Sequence, residues 1–142
     1  LAVYKTRKDV SAVVHTHSVF ASVLAVAGVE LPPIIDEMVL LVGGPVPVAQ
    51  YAFPGTEELA QHVCQALGER NAVILRNHGL VGVGSSLAQA VEVCTLVERA
   101  AQIYVFASLL GKVQPLPQEV VEAEVELFRM RRQVEEKEGE QS

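Results

Sequence analysis

Ala12-Val13-Val14-His15-Thr16-His17-Ser18 is the stretch on which both the fold and the chemistry turn. Its apolar, β-branched start reads as a strand, and a strand sends successive side chains to opposite faces. His15 and His17 then point the same way and Thr16 the other way. Two imidazoles on one face of a rigid strand make half of a metal site. A zinc ion that does chemistry needs about three protein ligands and an open position. The missing ligand has to come from elsewhere in the chain.

Outward from that strand, expected over residues 10–15, helices and strands alternate. On its N-terminal side, residues 1–8 carry Lys5, Arg7 and Lys8 and read as the last turns of a helix, with cations near its C-terminal dipole and Asp9 as the break. On its other side, Ser18 is an N-cap, Phe20, Val23, Leu24 and Ala27 recur at helical spacing, and Gly28 is the stop. Residues 31–33 are an irregular link. Residues 34–42 are apolar around Asp36 and Glu37, and helix and strand are not separable there by pattern. Residues 46–49 read as a short strand that Pro47 pushes to a sheet edge.

A turn at Pro54-Gly55 precedes a helix capped by Thr56, with Glu57 and Glu58 in its first turn and Leu59, Ala60, Val63, Cys64 and Leu67 on its apolar face. Residues 72–75 form a continuous apolar strand, buried on both faces, and residues 80–83 form another, closed by Gly84. Ser85-Ser86 caps a long helix to Leu110, with Leu87, Ala90, Val91, Cys94, Val97 and Ala101 as its stripe. After a linker framed by Pro115 and Pro117, residues 118–142 hold a final helix to about Lys137, with Val121, Val125 and Phe128 on its apolar edge, and a solvated, frayed tail over residues 135–140. The alternation predicts an α/β layered fold.

The totals bound the function. A chain of 142 residues, half of them apolar, fits one domain with a real core. No uninterrupted apolar run approaches the roughly 20 residues that span a bilayer, so no membrane partner is expected. The net charge of −6 argues against a nucleic-acid backbone as partner. A phosphorylated small molecule stays open, because a local basic pocket suffices for it. Cys64 and Cys94 stand alone in apolar helical patterns, which predicts buried free thiols and a cytoplasmic, reducing compartment. The start lacks an initiator Met and opens in mid-pattern, so residues are expected upstream of Leu1.

His78 is the natural third ligand. It ends the most apolar strand and precedes Gly79, which lets backbone approach closely. Functional sites of α/β folds collect at strand ends. His-x-His pairs also arise without any metal, and His78 shifts the balance toward a site. His62 falls in the polar part of its helix and reads as a surface residue. Asp36 and Glu37 are either a helix cap or a functional pair; a partly desolvated carboxylate near a metal can ligate it or move protons. Arg76 and Asn77 read as local pairing groups. Gly43-Gly44 is no dinucleotide fingerprint, because no G-x-G-x-x-G follows a strand.

Taken together, the His15-Thr16-His17 stretch, Glu37-Met38, Tyr51-Ala52-Phe53-Pro54-Gly55-Thr56 and Asn77-His78-Gly79 resemble the class II aldolase/adducin family, over residues 1–111 and more loosely beyond. The resemblance implies a three-layer α/β/α sandwich around a mixed, largely antiparallel sheet. It also implies a homotetramer with active sites between subunits. It puts His15, His17 and His78 at the three zinc-histidine positions, and Glu37 where family members carry an acid/base side chain. That position is a tyrosine from a neighbouring subunit in the fuculose-phosphate aldolases and a glutamate in the methylthioribulose-phosphate dehydratases. The family's phosphate-binding loops and its metal-ligating glutamate have no counterpart here. The chain is therefore expected to be one such domain lacking its N-terminal third.

The activity implied is zinc-dependent retro-aldol cleavage of a fuculose-phosphate-like phosphorylated ketose through an enediolate, with Glu37 moving a proton. The alternatives are a zinc-dependent sugar-phosphate dehydratase, favoured by Glu37, and a non-catalytic adducin-like interaction module, disfavoured by the intact histidines. Epimerase chemistry ranks lower, because the related epimerases use a tyrosine near the C-terminus and no tyrosine follows Tyr104.

Overall fold

A computed structural model describes residues 2–139 of the chain. Its elements run α1 (Ala2–Thr6), β1 (Ala12–Thr16), α2 (Val19–Ala27), α3 (Asp36–Val42), β2 (Val48–Ala49), α4 (Glu57–Leu67), β3 (Ala72–Leu75), β4 (Gly79–Gly84), α5 (Leu87–Leu110) and α6 (Gln118–Gly139). The four strands make one sheet in the order β1-β4-β3-β2. β4 pairs antiparallel with both β1 and β3, while β2 adds to β3 in parallel.

The alternation along β3 shows how the layers arise. Ala72 and Ile74 enter one core with Leu24 of α2, Met38 of α3 and Val93 and Val97 of α5. Val73 and Leu75 enter a second core with Val3 of α1 and Val63 and Leu67 of α4. A strand buried on both faces needs helices on both sides, so the fold is the three-layer α/β/α sandwich that the resemblance implies. α6 lies outside α3, where Phe128 seats against Gly43. Gly43 ends α3 at φ 91° and a Cβ there would stand 2.5 Å from the Phe128 ring, so both conformation and space require glycine.

The ambiguous stretch 34–42 is a helix from Asp36, with both carboxylates in its first turn where the dipole favours them. Thr56 and Ser86 cap α4 and α5 as expected, each accepting the amide three residues on. α1 stops at Thr6, short of residue 8, because Arg7 turns away to bond Asp9, the Gly68 and Arg70 carbonyls and Asn71. β1 starts at Ala12 and runs to Thr16, set by its register from Gly84 to Leu80, and β4 correspondingly spans Gly79–Gly84. Val46 is not in the edge strand; it bridges Leu31 in isolation, and the regular strand is Val48–Ala49 alone.

On α5 the buried stripe is Ala90, Val93, Cys94, Val97, Ala100 and Ala101, while Leu87 and Val91 face outward, contrary to expectation. The helix is apolar on more than one side, so apolar spacing alone does not select the face on the sheet. By length and composition alone α5 is apolar enough to cross a membrane, but Glu92, Glu98 and Arg99 interrupt it, and it packs on β1, β3 and β4. Cys94 is buried as expected, but Cys64 is only half-buried. Residues 135–139 continue the helix, and Glu135 accepts bonds from Ser85 and Gln89. The expectations placed on Leu1 and on Glu140 lie outside the described residues.

Candidate metal centre

β1 sets His15 opposite Val81 of β4, and His17 comes just beyond the strand. His78 arrives from the other side through the β3–β4 hairpin, whose last pair is Leu75 with Gly79. The three-residue turn between them carries Asn77 at φ 57°, a left-handed conformation that asparagine tolerates and β-branched residues do not. The Asn77 amide donates to the Ala25 carbonyl of α2, and the His78 amide to the Leu75 carbonyl, each at 3.0 Å. The turn is thus pinned to a helix and a strand at once.

The result is a convergence of three imidazoles. His15 Nε2 lies 2.9 Å from His17 Nε2 and 3.3 Å from His78 Nε2. Nitrogens bound tetrahedrally to a zinc at 2.0–2.1 Å stand roughly 3.3 Å apart, near these two separations, and the ligand atoms of all three residues lie within 4.8 Å of one another. The proton arrangement fits as well. His15 Nδ1 sits 2.9 Å from the Leu80 carbonyl oxygen, to which only a protonated Nδ1 can bond. That fixes the tautomer with a free lone pair on Nε2, the form a metal takes up. At His78, burial and the neighbouring charges of His15 and His17 push the imidazole below its ordinary value, toward the neutral ligand form.

Space is the third test. A Cβ on Gly79 would stand 2.4 Å from the Thr16 carbonyl oxygen, 3.0 Å from His17 Cδ2 and 3.3 Å from His15 Cε1. Only glycine allows this approach of β4 to the imidazoles. His15 and His17 are exposed, so the cluster faces solvent on one side and leaves room for a further ligand. Three neutral nitrogen donors suit zinc and several other transition ions.

Glu37 does not join them. It projects from the first turn of α3, exposed, and forms an ion pair with Arg99 of α5. It lines an open groove of about 500 Å³ with Leu40, Leu96, Arg99 and Arg131, and no histidine lines that groove. Asp36 faces Glu124 of α6 instead; burial and the Asp36 carboxylate hold the Glu124 carboxyl above its ordinary value. His62 is half-buried rather than a surface residue, with its Nδ1 covered by the protein. Of the residues beside His78, Asn77 shapes the turn and Arg76 is exposed. One carboxylate that no sequence pattern singled out reaches the neighbourhood: Glu98 of α5 bonds the first turn of α2, directly after His17.

Known proteins resemble the chain in sequence and in fold. The chain is 35% identical over 122 residues to a 5-deoxy-D-ribulose 1-phosphate aldolase of Bacillus thuringiensis, covering 86% of this chain and 57% of that protein. It is 35% identical over 117 residues to the L-fuculose phosphate aldolase of Escherichia coli K12, covering 82% and 54% respectively. A solved L-fuculose 1-phosphate aldolase superposes with a TM-score of 0.85 at 38% identity, over 89% of this chain and 59% of that one. The chain thus spans about half the length of the curated relatives it matches. The family model for the class II aldolase and adducin N-terminal domain matches residues 1–105, and the chain belongs to that family.

Proposed function

We propose that this protein holds a zinc ion on His15, His17 and His78 and cleaves a phosphorylated ketose by retro-aldol chemistry. The observation that carries the reading is the convergence of three Nε2 atoms, one with its tautomer set by Leu80. The relatives named as ketose 1-phosphate aldolases support the substrate class. The chemistry supplied by such an ion is Lewis-acid stabilisation of the negative charge that develops beside the carbonyl when the C–C bond breaks.

The chain's own residues have distinct tasks in this reading. Leu80 and the β1–β4 ladder orient His15. Asn77 and the hairpin present His78, and Gly79 leaves room for the rings. Glu37 is the proposed proton carrier. Its place on an exposed helix turn, away from the histidines of its own chain, suits delivery into the site of an adjacent copy. Exposed Val19, Val23 and Val26 on α2 and Phe106, Leu109 and Leu110 on α5 supply apolar surface for such association, proposed as a homotetramer. The free thiols of Cys64 and Cys94 accord with a cytoplasmic setting.

The test is to incubate the zinc-loaded, full-length protein with L-fuculose 1-phosphate and 5-deoxyribulose 1-phosphate and to follow release of dihydroxyacetone phosphate. Zinc-dependent release from either supports the reading. No cleavage of either counts against it, and loss of water from methylthioribulose 1-phosphate in its place would replace it with the dehydratase alternative.

A further inference from the structure

The three histidines are not held equally. His15 is fixed by the β1–β4 ladder and by its bond to Leu80. His78 is fixed by the hairpin turn and the two amide bonds of that turn. His17 has neither support. The last register pair of β1 is Thr16 with Leu80, so His17 stands beyond the ladder, and among the described residues its ring makes no hydrogen bond to the backbone, its Nε2 meeting His15 Nε2 alone. Its backbone bridges the last ladder residue, Thr16, and the start of α2 at Val19.

That start is capped from a distance. Ser18 occupies the N-cap with extended backbone, yet its side chain makes no capping bond. Its hydroxyl instead lies 3.4 Å from that of Thr16. The amides that a cap ordinarily satisfies belong to the second and third helical residues, here Phe20 and Ala21. They donate to the two carboxylate oxygens of Glu98 on α5, at 2.8 Å to Oε1 and 2.9 Å to Oε2. Such bonds are charge-assisted, and the carboxylate also meets the positive end of the α2 dipole. The neighbouring cation, Arg99, is engaged by Glu37, which leaves Glu98 to the helix.

We propose that Glu98 is a positioning residue for His17. By clamping the first turn of α2 onto α5, it fixes the backbone just upstream, and with it the reach of His17 Nε2 toward His15 and His78. α5 packs along β1 and β4, so the clamp refers the one unsupported ligand to the same sheet that carries the other two. The inference rests on the reading of the histidines as a metal site.

Glu98→Gln and Glu98→Ala in the full-length protein test it, read by zinc affinity in competition with a chelator and by the visible bands of the Co²⁺-loaded protein. Glu98→Gln is isosteric and keeps one acceptor oxygen, so it folds even where the alanine variant does not. The expected result is a zinc dissociation constant raised by about 10- to 100-fold, the range for residues that orient metal ligands, with Co²⁺ bands shifted as His17 loosens. Ser18→Ala, whose hydroxyl caps nothing, leaves both readouts unchanged. Glu98 variants that are less stable but bind zinc with wild-type affinity and keep the wild-type Co²⁺ spectrum make Glu98 a helix cap only and overturn the proposal. Failure of the wild-type protein to bind metal overturns the site itself, and it shows before any variant is compared.

Discussion

Gly79→Ala probes the site and the sheet together. The added methyl would stand 2.4 Å from the Thr16 carbonyl oxygen. Ordinary C···O contacts begin near 3.3 Å, so β4 and β1 would have to part by about 1 Å at this pair. Overpacking of this kind costs about 1–3 kcal/mol, which for a chain of this size lowers the melting temperature by roughly 3–10 °C. The same movement carries the His17 and His15 rings, which lie 3.0 and 3.3 Å from the new atom. Metal–ligand distances tolerate only about 0.2 Å, so zinc affinity should fall at least tenfold. Gly82→Ala separates the two effects. There the methyl would meet Cys94 Sγ at 2.5 Å and the Ala90 carbonyl at 3.0 Å, against α5 rather than the histidines. Thermal unfolding and chelator-competition titration should therefore show both variants destabilised and only Gly79→Ala weakened for zinc. Wild-type affinity in Gly79→Ala, or equal loss of affinity in Gly82→Ala, would refute the reasoning.

Glu37→Gln should keep zinc and fold while turnover drops by about 10² to 10⁴, the range for a lost general acid or base; unchanged turnover in a ketose-phosphate assay would leave Glu37 as a partner of Arg99 alone. Asp9 is raised by burial, but the hydrogen bond and charge of Arg7 outweigh this and hold its carboxyl below the ordinary 3.8. Its stabilising contribution is therefore present above that value and lost as pH falls below it toward the folded-state value, so Asp9→Asn should flatten the acid limb of a urea-midpoint-versus-pH curve. Burial pushes the Cys94 thiol up to about 11, so alkylation of the native protein should label half-buried Cys64 first and Cys94 only on unfolding. Asn77→Val, which forces a β-branched residue to φ 57°, should cost about 1–3 kcal/mol in denaturant unfolding, whereas Asn77→Gly should not.

The histidine half of the candidate site is legible in the sequence because strand geometry acts over two residues. Alternation along β1 put His15 and His17 on one side, and an apolar strand followed by His78-Gly79 announced a strand end with room beside it. Glu98 was not legible, because its bonds join residues 77 and 78 positions apart and leave no local pattern. The single trace was negative: Ser18 has Ala21 where a capping box would place a glutamate, so the acceptor had to come from another element. On α5 the expected residues Ala90, Cys94, Val97 and Ala101 do face inward, and only Leu87 and Val91 depart, for a related reason. Where α5 comes against Gly82 it presents the small Ala90 and Cys94 beside Val93, while Leu87, Val91 and Phe106 stay outside. Close approach to Gly82 selects small side chains, and hydrophobicity alone ranks them below the residues left exposed.

Zinc content after dialysis decides whether His15, His17 and His78 together hold a zinc ion. Tightly bound zinc in equimolar amount is expected in the wild-type protein and is lost in His15→Ala, since two imidazoles leave too few ligands. No zinc in the wild type after exposure to micromolar zinc, or equimolar zinc retained by His15→Ala, would contradict it.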